Sequence, residues 1–274
     1  MTGLAGAVVI VTGAGSGIGR AAVSAFSAAG AHVLATGRSS SRLEETAALA
    51  KAPELVTPFH CDVTNEDDVS NTVAFALNEF GRLDCAFNNA GTFGRLGPLH
   101  QDDGENFNTV VDTNLRGVWL CLKHQIPPMV AQGGGSIVNC ASVAGHYGNP
   151  ATAMYSATKH AVIGLSKSAA LQYAANGVRV NVISPGGTDT EMLRDLHSSQ
   201  QALDARARRT PLQHRLASAE EMADVAVWPA SPPAGHLTGQ ALIVDGGVTA
   251  ASRGRRGRQV RRRTLIHDRR SIGL

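Results

Sequence analysis

The sequence predicts an α/β chain with a doubly wound, mostly parallel sheet of seven strands, helices on both faces and a single domain. Two observations carry this. Continuous apolar runs alternate with helical segments, and a glycine-rich loop joins the first run to the first helix. Unbroken hydrophobicity marks strands buried on both faces, as in a parallel sheet. Strand–helix alternation implies right-handed crossovers that put helices on both sides.

The strands are expected at Ala7–Thr12, Ala31–Thr36, Leu55–His60, Leu83–Asn88, Ser136–Cys140, Val178–Ile183 and Ala241–Val244, each a β-rich run bounded by turn residues. Helices are expected between them, at about 17–29, 41–51, 65–80, 102–131, 152–176 and 218–228. The first continues from the glycine loop through the alanine-rich Ala21–Ala29. The last begins at Ser218, which with Glu221 makes a capping-box pattern. Pro229 is expected to stop that helix near Trp228. Gly186–Ala217 is long, polar and locally basic with no strand signal, the mark of a functional lid or a disordered loop.

Composition narrows the class. Of 274 residues 43% are apolar and 17% charged, and the 30 glycines follow no triplet. A disordered chain and a collagen are both excluded. No apolar run reaches the ~18 residues that span a bilayer, and Met1–Ile10 lacks the basic flank and cleavage site of a signal peptide. Cysteines 61, 85, 121 and 140 are too far apart for a metal knuckle. They read as free thiols in a reducing, cytoplasmic compartment. Ten histidines form no His-x-x-x-His or His-x-x-Glu-His pair, and no metal is expected.

The net charge of +3 hides a division. Residues 250–274 hold nine arginines against Asp268 alone, a surplus of eight positive charges, so residues 1–249 carry −5. We read 1–249 as one nucleotide-binding catalytic domain and 250–274 as an Arg-rich tail. The tail is expected to be solvated and disordered, because like charges repel and few apolar groups oppose them. Binding of a polyanion, or an error in the reading frame, are the alternatives. The tail has no tyrosine or phenylalanine to stack on bases, and no nucleic-acid or membrane partner is expected.

The chemistry begins at Thr12-Gly13-Ala14-Gly15-Ser16-Gly17-Ile18-Gly19-Arg20, between the first strand and first helix. Glycines allow close approach of the backbone to a ligand, and the helix start offers free N–H groups and a positive dipole end to phosphate. Tyr155 and Lys159 stand four apart in a helical segment, on one face. A free tyrosine titrates near 10, and a neighbouring ammonium would favour its phenolate and bring it toward acid–base work. Ser142, thirteen residues upstream, follows a strand and so lies where open α/β sheets bind ligands.

The loop Thr12-Gly-x-x-x-Gly-Ile-Gly19 resembles that of the short-chain dehydrogenase/reductase family, with its Rossmann-type fold. Asn88-Asn89-Ala90-Gly91 resembles a second family signature and Asp62-Val63 the adenine contact; the similarity spans nearly all of 5–249. The resemblance implies hydride transfer between NAD(H) or NADP(H) and a secondary alcohol or ketone, in a homotetramer or dimer. It gives Ser142 the substrate oxygen and Tyr155 the proton. Lys159 receives the nicotinamide ribose, and Asn114 a proton relay through water. Gly13, Ser16, Gly17, Ile18, Gly19, Asp62, Val63, Asn89, Ala90 and Gly91 would hold the dinucleotide. Pro185, Gly186, Thr188 and Thr190 would lie along the nicotinamide. At the end of the second strand the family's usual acid position is Gly37, followed by Arg38. An acid there would repel a 2′-phosphate and an arginine attracts it, so NADP is favoured over NAD.

Phe93, His146, Tyr147, Met192 and Leu193 are further candidates for the substrate pocket. With Leu196, the last two point to a small apolar or cyclic carbonyl compound. The rival readings are a nucleotide-binding regulator without turnover, and a polyanion binder acting through the tail.

Overall fold

The computed structural model describes residues 3–197 and 199–250. The predicted tail lies outside them except for Ala250. Strands β1 Val8–Thr12, β2 His32–Gly37, β3 Val56–His60, β4 Cys85–Asn88, β5 Gly135–Cys140, β6 Val178–Pro185 and β7 Ala241–Val244 form one sheet. Their order is β3-β2-β1-β4-β5-β6-β7, with every pairing parallel. Each strand bound lies within two residues of its expected place. The order reverses between β1 and β4, and ligands bind such sheets at the carboxyl ends of the strands flanking that reversal.

The helices among the described residues are α1 Gly17–Ala28, α2 Ser40–Leu49, α3 Glu66–Phe80, α4 Gly104–Val111, α5 Gly117–Ala131, α6 Ala153–Tyr173, α7 Glu191–Asp195, α8 Gln200–Ala207 and α9 Ala219–Ala230. Alternation along each strand decides which helix layer a side chain meets. Val9 and Val11 of β1 pack with Phe26, Leu43, Ala223 and Val227, the side of α1, α2 and α9. Val8 and Ile10 face the other way, toward Val73, Val118, Leu122 and Val162 of α3, α5 and α6. Fully burying one such side chain contributes about 1.5–3 kcal/mol. All four cysteines are free and buried, and burial raises their thiol pKa, to about 11 at Cys61 and about 12 at Cys85.

Three expectations are corrected. The single helix over 102–131 is broken by a π turn at Asp112–Arg116, where the Gly117 N–H reaches back five residues to the Asp112 carbonyl. In Gly186–Ala217, where a lid or a disordered loop was expected, the described residues carry the helices α7 and α8. Pro229 does not end the last helix, which runs on to Ala230.

The end of that helix is held from β6. Arg179 donates from Nη1 to the Pro229 carbonyl at 2.6 Å and the Leu237 carbonyl at 3.3 Å, and from Nη2 to the Ala230 and Ser231 carbonyls at 3.4 and 3.2 Å. Ser136 Oγ also donates to the Pro229 carbonyl, at 3.0 Å. A cation among the free carbonyls of a helix end offsets both their desolvation and the dipole. Arg179→Leu, which leaves those carbonyls unpaired, is expected to lower the unfolding free energy by about 2 kcal/mol. Denaturant titration reads this; unchanged stability would refute the role.

Candidate active site

The glycine loop is built into the sheet on two sides. The Ala14 N–H donates to the Thr36 carbonyl at 2.9 Å. Thr12 Oγ1 accepts from the Asn89 and Ala90 N–H groups at 2.9 and 3.1 Å, and Asn89 Nδ2 donates to the Thr12 carbonyl at 3.1 Å. The segment after β4 therefore clamps the loop after β1. Gly13, at φ +65°, lies so close to it that a Cβ would stand 2.9 Å from Ala90 Cα. Ser16 is the N-cap of α1, yet its hydroxyl makes no cap bond to the first-turn amides. Uncovered N–H groups at a helix start, facing a cleft, suit a pyrophosphate.

Those residues form one end of a cleft of about 820 Å³, a volume in the range of cofactor and substrate sites. It is lined by Gly13, Ser16, Gly17, Ile18, Arg38, Asp62, Val63, Asn89, Ala90, Gly91, Ser142, Tyr155, Lys159, Pro185, Gly186, Thr188 and Thr190. Two of the expected catalytic and cofactor-binding residues do not face it. A Cβ at Gly19 would come 2.1 Å from the Gly13 carbonyl oxygen, so its place is in the packing of α1 on the loop. Asn114 lies fully buried behind the wall.

The lining of the cleft carries polar and charged groups at both ends. At the β2 end the lining carries Arg38, Ser39 and Arg42. Arg42, in the first turn of α2, was missed in the sequence. Its Nη1 donates to Glu191 Oε2 at 2.8 Å and ties α2 to α7 across the cleft. Asp62 accepts at Oδ1 from the Thr64 N–H and hydroxyl, both at 2.9 Å. At the β6 end the Gly186 N–H donates to the Val244 carbonyl at 2.8 Å. Thr190 caps α7, accepting from the Leu193 N–H at 3.3 Å, and lies against the loop at Gly17.

Tyr155 and Lys159 share one face of α6, as their spacing predicts, with Lys159 Nζ 5.5 Å from the phenol ring centroid. The ring packs on Phe93, centroids 4.3 Å apart. Ser142, extended at φ −171°, accepts from the Ala144 N–H at 3.2 Å. Burial dominates the electrostatics of the pair. Burial pushes the Tyr155 phenol well above its ordinary value, and the hydrogen bond with Ser142 pulls it partly back. Burial lowers the Lys159 ammonium, which donates to the Cys140 carbonyl at 2.8 Å. The ammonium lies over the ring and is held by a main-chain oxygen, and burial is the largest influence on the phenol.

Asn114 sits in the π turn, and its side chain is committed to main chain. Oδ1 accepts from the Thr92 N–H at 2.8 Å while Nδ2 donates to the Thr92 carbonyl at 2.8 Å and to Thr158 Oγ1 at 3.3 Å. A π turn displaces backbone carbonyls from the regular ladder, a feature invisible in an apolar helical pattern. Phe93, Tyr147, Met192, Leu193 and Leu196 line the substrate end. His146 does not; it is exposed and bonds Ser184 Oγ at 2.9 Å. Thr152 and Arg206 also line the cleft and were not anticipated.

Residues 13–249 match the family model described as enoyl-(acyl carrier protein) reductase. The chain is 41% identical over 248 residues to an A-factor type γ-butyrolactone 1′-reductase (1S-forming) of Streptomyces virginiae, spanning 88% of this chain and 95% of that protein. It is likewise 41% identical over 251 residues to a 2,5-dichloro-2,5-cyclohexadiene-1,4-diol dehydrogenase of Sphingobium indicum, spanning 91% of this chain and all of that one. The crystal structure of levodione reductase superposes with a TM-score of 0.85 at 35% identity, covering 91% of this chain and 100% of that one.

Proposed function

The chain belongs to the short-chain dehydrogenase/reductase family of oxidoreductases, and from that premise we propose that it interconverts a ketone and a secondary alcohol using NADP(H) in preference to NAD(H). The observation that carries this reading is the convergence of Ser142, Tyr155 and Lys159 on the cleft that the glycine loop lines. A bound nicotinamide supplies the hydride chemistry. The chain's own residues do the rest. The amides at Gly13–Ile18 hold the pyrophosphate, with Asp62 and Val63 beside the adenine. Thr188, Thr190 and the Pro185-Gly186 turn fix the ring that must present one face.

In reduction Tyr155 Oη gives its proton to the carbonyl oxygen as the carbon becomes CH–OH, and Ser142 Oγ holds that oxygen. Lys159 anchors the ribose and stands behind the phenol; Asn114 shapes the wall by fixing Thr92 and carries the relay toward Lys159. Two relatives are named for a butyrolactone and a cyclohexadiene-diol, and the apolar side chains of Phe93, Met192, Leu193 and Leu196 suit a compact ring. We assign the protein to the cytoplasm; among the described residues no helix is long and apolar enough to cross a membrane. Exposed Trp119, Trp228 and Ile243 support a homotetramer.

Steady-state turnover on a panel of cyclic ketones and alcohols, with both cofactor pairs, tests the reading; no turnover with any would refute it. The cofactor preference rests on Arg38 at the cleft with no acid at Gly37. Arg38→Glu is expected to shift the kcat/KM ratio of NADPH over NADH toward NADH by about 100-fold, the scale of losing one charge-assisted phosphate contact and adding a repulsion. A ratio that does not move would remove Arg38 from the site.

A further inference from the structure

At the substrate end of the cleft, α8 delivers a cation with nothing to balance it. Arg206 lines the cleft together with Tyr147, Asn149, Thr152 and Tyr155. A Cβ at Gly187 would meet its Nε at 3.2 Å, which places the guanidinium beside the strand-end turn and away from the glycine loop. Its side chain makes no hydrogen bond or ion pair among the described residues. Other arginines do: Arg20, Arg42, Arg82, Arg194 and Arg215 each pair with a carboxylate, and Arg179 is taken by carbonyls.

A half-buried guanidinium is costly unless acceptors meet its five donors. Burial does lower the Arg206 pKa, and the hydroxyls of Tyr147 and Tyr155 act on it in the opposite sense. Among the described residues Asp62 is the one carboxylate on the cleft wall, and it follows β3, separated from β5 and Ser142 by β2, β1 and β4. The substrate end thus holds Arg206 and Lys159 and no acid. A second, independent group points the same way. Thr152 is 6% exposed, and its Oγ1 is buried without a hydrogen-bond partner. It is a buried, unpartnered polar atom of a residue that lines the cleft.

We propose that the substrate is an anion: a compact, largely apolar keto or hydroxy compound bearing a carboxylate, which Arg206 receives through its planar fork, with Thr152 Oγ1 as an additional polar contact. Phe93, Val143, Met192, Leu193 and Leu196 cover the apolar body. Bidentate carboxylate recognition by arginine is directional, so Arg206 also sets which carbonyl of the substrate reaches Tyr155. This deepens the ketone–alcohol reading above and rests on it.

The test compares 4-oxocyclohexanecarboxylate with its methyl ester in the full-length protein and in Arg206→Met and Arg206→Lys. The wild type is expected to favour the acid at least tenfold in kcat/KM. Arg206→Met should lower the acid-to-ester ratio by about 50-fold, chiefly through KM, and Arg206→Lys should recover part of it. Melting temperatures with and without NADP confirm that the variants fold. A wild type that treats acid and ester alike, or a ratio unmoved in Arg206→Met, overturns the proposal. Binding of inert cyclohexanecarboxylate, followed by calorimetry, needs no turnover. Binding that disappears in Arg206→Met supports the anion site even if no ketone is reduced, in which case only the oxidoreductase reading falls; absence of binding to the wild type overturns the site.

Discussion

Tyr155→Phe is expected to lower kcat by about a hundred- to ten-thousand-fold while leaving NADP binding within about threefold. The ring keeps its packing on Phe93 and its place on α6, so only the exchangeable proton is lost. Turnover at a comparable rate would exclude Tyr155 as the proton carrier. The pH dependence of the wild type follows from the same residue. Burial raises the phenol above its unfolded value of about 10, so the neutral, proton-donating form persists across neutral pH. Reduction should therefore be flat between about pH 6 and 9. Oxidation needs the phenolate, so its kcat/KM should climb close to tenfold per pH unit and not level off below about pH 10. A plateau of oxidation below about pH 10 would mean that another group sets the profile. The raised value also gives a stability sign: the contribution is complete below the unfolded pKa and is lost as pH rises through the folded one.

Gly19→Ala should be the most damaging single methyl in the molecule. The new Cβ would stand 2.1 Å from the Gly13 carbonyl oxygen and 2.7 Å from Asn89 Nδ2. The first of these neighbours is backbone and cannot swing aside, so α1 must move off the loop that it helps to form. Overpacking of this kind costs about 3 kcal/mol, which corresponds to a fall of roughly 6–12 °C in Tm for a domain of this size. NADP affinity should fall with it, because the first-turn amides shift with the helix. Asn89→Ala separates the two contacts: combined with Gly19→Ala it removes the side-chain clash and leaves the backbone one, so it should not restore stability. Native Tm and NADP affinity in Gly19→Ala would refute the packing account.

Much of this was legible in the chain because its signals are local. A strand that is apolar throughout has no solvated face, so the runs around Val9, Val33 and Val180 could lie only inside a covered parallel sheet. The loop from Thr12 to Gly19 is a contiguous stretch whose chemistry is that of its own backbone. Tyr155 and Lys159 are neighbours through the helical period alone. The misjudged places depend on partners far away in sequence. Pro229 ought to end a helix, but Arg179, fifty residues earlier, takes its carbonyl. The π turn around Asn114 lies within an unbroken helical pattern and pairs with Thr92, twenty-two residues upstream. His146 follows Ser142 closely, yet the chain turns it toward Ser184 and out of the cleft.

The sequence by itself determined the fold class, the family and many of the residues that line the cleft, since hydrophobic period, loop chemistry and helical spacing are all short-range properties. Only the tertiary structure decided their electrostatic state and the character of the substrate end. Burial depends on what the rest of the chain places around a group, and desolvation is the largest influence on both Tyr155 and Lys159. The same is true of Arg206. In the sequence it is one basic residue in a polar stretch; once α8 is laid over the strand ends it becomes a half-buried charge without a counter-ion, and that imbalance exists only in three dimensions.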